Sequence, residues 1–119
     1  MKVNPIGESF FSLLGLCQKA GKVVSGSVLC EKNIRSGKAR LVIISSEASG
    51  ATIENFSSLS HACQVPMIIT GTRERLGRAI GKYNRTVLVI LDRSFRDMLL
   101  KEQNEIRHGG DENGKNQSV

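Results

Sequence analysis

The chain has 119 residues, 39% of them hydrophobic and 24% charged, with seventeen basic residues against eleven acidic ones and a formal net charge of +6. That length favours one domain able to bury a core without disulfide or metal staples, and the composition is that of a soluble globular protein. No apolar run approaches the ~20 residues that span a bilayer, and the opening MKVNPIGES lacks the apolar stretch of a signal peptide, so the cytoplasm is the expected compartment and no membrane partner is expected.

In chain order, Phe10, Leu13, Leu14 and Cys17 recur at helical spacing over residues 9–19, and Gly21 is placed to stop that helix. Val23 and Val24 make a brief strand. A second helix is expected from about Ser27 to Arg35, ended by Gly37. Leu41 to Ile44 is a continuous apolar run with β-branched residues, the pattern of a strand covered on both faces. After the loop Ser46–Gly50, a third helix turns Ile53, Phe56, Leu59 and Cys63 inward. Pro66 forces an extended chain at Val65, and Met67–Ile69 is the next strand. Gly71 turns the chain, Thr72 caps a short helix running to Ile80, and Gly81 ends it. Thr86–Leu91 is the last strand. Ser94 with Asp97 three residues on has the form of a capping box for a final helix that buries Phe95, Met98 and Leu99. Residues 103–119 are polar and Gly-rich, and they read as a disordered tail behind a single domain of residues 1–102. Helices alternating with short apolar strands predict an α/β fold, a three-layer helix–sheet–helix arrangement with about four strands.

The basic excess is clustered. Lys19, Lys22, Lys32, Arg35, Lys38 and Arg40 stand against Glu31 alone, and Arg73, Arg75, Arg78, Lys82 and Arg85 against Glu74 alone. Two basic islands in so small a chain point to a polyanion partner. Little points to catalysis. His108 lies in the tail, and His61 lies among apolar helix residues. Asp92 and Asp97 flank the start of the last helix, where carboxylates complement its dipole. Gly71 to Gly77 lacks the Lys-Ser/Thr pair of a P-loop, and no GxGxxG occurs. Cys17, Cys30 and Cys63 form no CxxC and read as reduced, buried small hydrophobes. His61 and Cys63, two apart on a helix, point to different faces and make no metal pair. No enzyme activity, cofactor or metal is expected.

Two places suit a polyanion. The second helix starts at Ser25-Gly26-Ser27, with nothing bulky or acidic there. Its free N–H groups and positive dipole end suit phosphate oxygens, and Gly26 and Ser27 leave room for a ligand backbone. Val28, Lys32 and Arg35 share one stripe of that helix. Val28 either packs on the first helix or offers an apolar contact to a bound surface. The second place is the loop Gly81-Lys82-Tyr83-Asn84-Arg85, where Lys and Arg can hold phosphates beside exposed bases. Tyr83 either stacks on a base or packs against the strand. With no aromatic ladder for long single strands, a folded RNA is favoured.

Gly26-x5-Lys32-x-Ile34-x2-Gly37, Ala39-x-Leu41-Val42-Ile43-Ile44, Cys63-x-Val65-Pro66 and Leu76-Gly77-x-Ala79-x-Gly81 resemble, as an ordered set over about residues 10–100, the ribosomal-protein superfamily named for L-seven-Ae and L-thirty-e. The opening LGLCQKAGKVVSG is most similar to its short bacterial YlxQ-type members. The resemblance implies an α-β-α sandwich on a mixed four-stranded sheet and binding of RNA kink-turns or related internal loops. It implies that Gly26, Ser27 and Lys32 meet the kink and that Gly81, Lys82, Tyr83, Asn84 and Arg85 cover flipped-out bases. Kink-turn binders of this superfamily carry Asn-Glu two and three residues after the Gly, where this chain has Val28 and Leu29, which cannot hydrogen-bond a base edge. The expected function is therefore a non-catalytic, ribosome-associated RNA-binding protein acting as a monomer, with Lys22, Gly26, Ser27, Val28, Lys32, Arg35 and residues 81–85 as its contacts. Its partner is ribosomal RNA or another kinked RNA, read with relaxed specificity, with ribosomal proteins alongside. The rival expectations are a protein-interaction module on the same scaffold and a substrate-recognition partner of an RNA-modifying enzyme.

Overall fold

A computed structural model describes the backbone of residues 7–110 and the side chains of residues 7–104. The elements follow in the order α1 (Glu8–Lys19), β1 (Val23–Ser25), α2 (Ser27–Arg35), β2 (Leu41–Ile44), α3 (Gly50–Ala62), β3 (Met67–Ile69), α4 (Arg73–Ala79), β4 (Val87–Ile90) and α5 (Arg93–Gly110). The sheet order is β1-β4-β2-β3. β4 runs antiparallel to both its neighbours, and β2 and β3 are parallel, so the sheet is mixed.

The two central strands explain the three layers. Every residue of β2 and β4 is buried, because alternate side chains point to opposite faces and both faces are covered. Leu41, Ile43, Leu88 and Ile90 meet Phe10, Leu14, Leu76 and Leu99 of α1, α4 and α5. Val42, Ile44, Val87 and Val89 meet Cys30, Ile34, Phe56 and Leu59 of α2 and α3. The expected α-β-α sandwich is the fold.

Four local expectations change. The last helix is capped by Asp92, whose Oδ2 accepts from the Phe95 N–H at 2.9 Å. Ser94 lies already inside the helix, and Asp97 pairs with Arg96. Met98 is exposed, because the α5 stripe facing α1 and the sheet runs through Phe95, Leu99 and Gln103 at i, i+4 and i+8. Cys63 is exposed: it follows the last residue of α3, where Gln64 takes a positive φ of 58° and turns the chain away. Finally, α5 continues through residues 103–110, where composition suggested a tail. Nothing between Leu100 and Gly109 breaks a helix, and Lys, Glu, Gln and Arg there favour one. Residues 111–119 lie outside the described residues. No described helix is long and apolar enough to cross a membrane.

Candidate functional site

The pairing register collects several loops at one end of the sheet. Ser25 faces Leu88, and Ile44 faces Val87 on one side and Ile69 on the other. The ends of β1, β2 and β3 and the start of β4 therefore share an edge, and the loops 25–27, 45–49, 70–72 and 80–86 cluster there. Of the three helices that start at this end, α3 and α4 are capped by Ser49 and Thr72, whose hydroxyls accept from the N–H groups of Thr52 and Arg75. α2 starts without a side-chain cap and without an acidic residue in its first turn. Its leading Gly26 has φ 93° and ψ 147°, a conformation essentially confined to glycine. A Cβ placed on Gly26 meets nothing within 4 Å, so the open space beside it faces solvent.

The loop before β4 stands against this helix start. Arg85 donates from Nε to Ser25 Oγ at 3.1 Å and from its guanidinium to the Asn84 carbonyl at 2.8 Å. The Gly26 N–H donates to the Val87 carbonyl at 3.1 Å. Between them is an open depression of about 340 Å³, walled by Ser25, Gly26 and Ser27 on one side and Asn84, Arg85 and Thr86 on the other. The loop is held from below. Its Lys82 and Arg85 N–H groups donate to the carbonyls of Gly77 and Arg73 at 2.8 and 3.1 Å. A Cβ on Gly77 would lie 1.8 Å from the Tyr83 carbonyl oxygen, so the loop reaches this position only over a residue without a side chain.

The side chains around the depression are of two kinds. Lys32 and Lys82 are exposed, Arg85 is half-buried, and among the described residues none of the three has a carboxylate within ion-pair distance. Val28, Leu29 and Tyr83 are 81%, 50% and 84% exposed. The alternatives left open by sequence are thereby decided: Val28 does not pack on α1, and Tyr83 does not pack on the strand.

Of the expected site residues, Gly26, Ser27, Asn84 and Arg85 are brought together around the depression, with Val28, Gly81, Lys82 and Tyr83 exposed on the same two segments. Lys32 lies on α2 one turn beyond Val28, about 6 Å further from the helix start. Lys22 is not part of this group. Its carbonyl accepts from the Leu91 N–H at 2.8 Å, at the opposite end of the sheet. Arg35 is in the last turn of α2 and pairs with Glu31 at 3.6 Å. Nor does the whole second island face the depression: Arg73, Arg75 and Arg78 pair with Glu47, Glu8 and Glu74, and Arg75 stacks 4.3 Å over the Phe11 ring. Sequence reasoning missed Ser25 and Thr86 as walls of the depression. Their only signal is adjacency to Gly26 and Arg85.

The chain is thus a small three-layer α/β protein with an uncapped helix start beside a lysine- and arginine-bearing loop at one end of its sheet. Comparison with known proteins specifies the class. Residues 8–99 match the model of the Ribosomal protein L7Ae/L30e/S12e/Gadd45 family, and the chain belongs to that family as a non-catalytic member of the YlxQ type. It is 38% identical over 94 residues to RNA-binding protein YlxQ of Bacillus subtilis strain 168, covering 79% of this chain and 94% of that one. It is 36% identical to the large ribosomal subunit protein eL30 of Neurospora crassa, over 81% of this chain and 90% of the other. A solved structure described as a protein with unknown function from Bacillus halodurans superimposes with a TM-score of 0.78 at 34% identity, covering 80% of this chain and 96% of its own. The Giardia lamblia 15.5kD RNA binding protein shares the fold, with a TM-score of 0.70 at 20% identity over 90% and 92% of the two chains.

Proposed function

We propose that the protein is a cytoplasmic, ribosome-associated RNA-binding protein that works as a monomer and recognises a bent or internally looped RNA of the kink-turn kind. The observation that carries this reading is the pairing of the uncapped α2 start with the loop 81–86 across one open depression. Backbone N–H groups at the α2 start receive phosphate oxygens of the bent strand. Lys32, Lys82 and Arg85 neutralise flanking phosphates, and exposed Tyr83 offers a ring to an unstacked base. Val28 and Leu29 hydrogen-bond no base edge, so recognition rests on shape and backbone and tolerates changes in the base pairs beside the bend. The names of the YlxQ and eL30 relatives support an RNA partner on or near the ribosome.

The test is a titration of internally looped RNA across a salt series. If about five phosphates are neutralised, log affinity falls with log salt with a slope near −4. Lys32→Ala weakens binding to all such RNAs alike and flattens the slope by about one. If Lys32→Ala and Arg85→Ala both bind like the parent protein, the reading fails. The exposed apolar trio Val28, Leu29 and Tyr83 supports a second reading, a protein-interaction surface at this same end. Capture of a partner that survives nuclease and high salt favours that reading instead.

A further inference from the structure

Five cations absent from the depression stand near one another at the opposite end of the sheet. Lys22 precedes β1, Arg40 precedes β2, and the chain leaves β4 between them: the Leu91 N–H donates to the Lys22 carbonyl at 2.8 Å and the Arg40 N–H to the Ile90 carbonyl at 2.7 Å. Two strand spacings put Lys22 and Arg40 about 10 Å apart. α1 ends beside them with Lys19, the turn after α2 carries Lys38, and α5 begins beside them with Arg93. Lys19, Lys22, Lys38 and Arg93 are exposed and Arg40 is half-exposed. Among the described residues none of the five lies within ion-pair distance of a carboxylate. The one carboxylate in these loops, Asp92, is engaged in capping α5.

Helix dipoles account for part of this. Lys19 sits in the last turn of α1, where a cation complements the helix end. Lys22, Lys38, Arg40 and Arg93 have no such explanation: three lie in loops, and Arg93 is at a helix start, where a cation opposes the dipole. None of the large exposed apolar side chains belongs to these loops, so the patch has charge to offer but nothing to insert into a lipid layer or a protein groove. Strands β1 and β4, with their flanking residues, hold it about 13–20 Å from the depression, too far to share one phosphate cluster.

We propose that this pole is a second, sequence-independent RNA-backbone surface, and that the protein bridges two RNA segments, a bent one at the depression and a plain helical one at the opposite end of the sheet. The partner's chemistry is a row of phosphates spaced along a duplex, matched by five cations spread over loops and helix ends with no base-reading geometry. The inference extends the proposed function and rests on it only for the bridging.

The test uses the full chain, a plain RNA duplex of about two helical turns without an internal loop, and an internally looped RNA. Lys22→Glu with Lys38→Glu, both at exposed positions, alters only the pole. Lys82→Ala with Arg85→Ala alters only the depression. Thermal melting checks that each double variant stays folded. The pole variant is expected to bind the duplex about ten-fold more weakly at moderate salt, with a salt slope shallower by about two, and to bind the looped RNA within two-fold of the parent protein. The depression variant is expected to do the reverse. Protein held on immobilised looped RNA should capture labelled duplex, and the pole variant should not. Duplex binding that is unchanged in the pole variant, or lowered equally in both variants, overturns the proposal. If the looped RNA is not bound at all, the proposed function fails, while the duplex titrations still decide whether the pole binds RNA.

Discussion

In the proposed function, the side chains of Val28 and Leu29 are what separate shape recognition from base reading. Both are exposed at the first turn of α2, so changing them disturbs no core contact. Val28→Asn with Leu29→Glu restores hydrogen-bonding groups at the positions where kink-turn binders carry them. The double variant is expected to sharpen discrimination between looped RNAs that differ in the base pairs beside the bend by ten-fold or more, in keeping with roughly 1–3 kcal/mol for a good bidentate base contact. Competitive titration of the two RNAs reads this directly, and unchanged discrimination removes α2 from the base-reading face. The cysteines make a second residue-scale prediction. Burial pushes the Cys17 and Cys30 thiols up to about 12, with Asp92 adding to the rise at Cys17 and Lys22 opposing it, whereas Cys63 is exposed. A thiol reagent at neutral pH is expected to modify Cys63 quickly and the other two only on unfolding. The folded thiols stay protonated where the unfolded ones ionise, so the unfolded chain binds fewer protons above pH ~9 and stability falls from there towards pH ~12. A chemical-denaturation series over that range measures the fall.

At the scale of elements, α4 and the loop behind it form one device. The helix is only seven residues long, and its Gly77 is buried beneath the loop backbone. Gly77→Ala cannot be absorbed by a side-chain shift, because the obstructing atoms are the backbone of Tyr83 and Lys82. The loop must lift, which loses the Lys82-to-Gly77 hydrogen bond and swings Lys82, Tyr83 and Arg85 away from the α2 start. The variant is expected to remain folded, with stability lowered by about 1–3 kcal/mol, and to lose RNA affinity by more than Lys82→Ala does. Thermal melts set beside RNA titrations separate the two effects, and undiminished affinity would show that the loop's position is irrelevant. The Leu76-Gly77-x-Ala79-x-Gly81 pattern was visible in the sequence, but its reason was not. A glycine in a helix reads as a weakness until the segment lying over it is known. The last helix shows the opposite case. Ser94 and Asp97 have the right spacing for a capping box, yet Asp92 was already in place one residue before the helix begins.

For the whole molecule, the distribution of charge is the consequence of topology. The two basic runs of the sequence are both divided by the fold. One run leaves Lys32 near the depression and sends Lys19, Lys22, Lys38 and Arg40 to the other pole, with Arg35 beside them at the end of α2. The other leaves Lys82 and Arg85 at the depression, while Arg73, Arg75 and Arg78 are neutralised by Glu47, Glu8 and Glu74. The effective charge at the depression is therefore smaller than the sequence suggests. The salt slope measured with looped RNA alone should reflect Lys32, Lys82, Arg85 and the α2 start rather than all eleven basic residues of the two runs.

The amino-acid sequence by itself determined the order and kind of nearly every element, the double-sided burial of β2, and the bare start of α2. These follow from local spacing: apolar runs, caps and glycine stops act within a few residues of themselves. Only the tertiary structure decided which charges stand together. A strand turns the four-residue step from Lys22 to Gly26 into about 13 Å and parts the two to opposite ends of the sheet. Antiparallel pairing of β1 with β4 brings Ser25 to Arg85, sixty residues away in sequence, within a hydrogen bond. A cluster of charges in sequence becomes a surface only through strand pairing, and pairing depends on the chain as a whole.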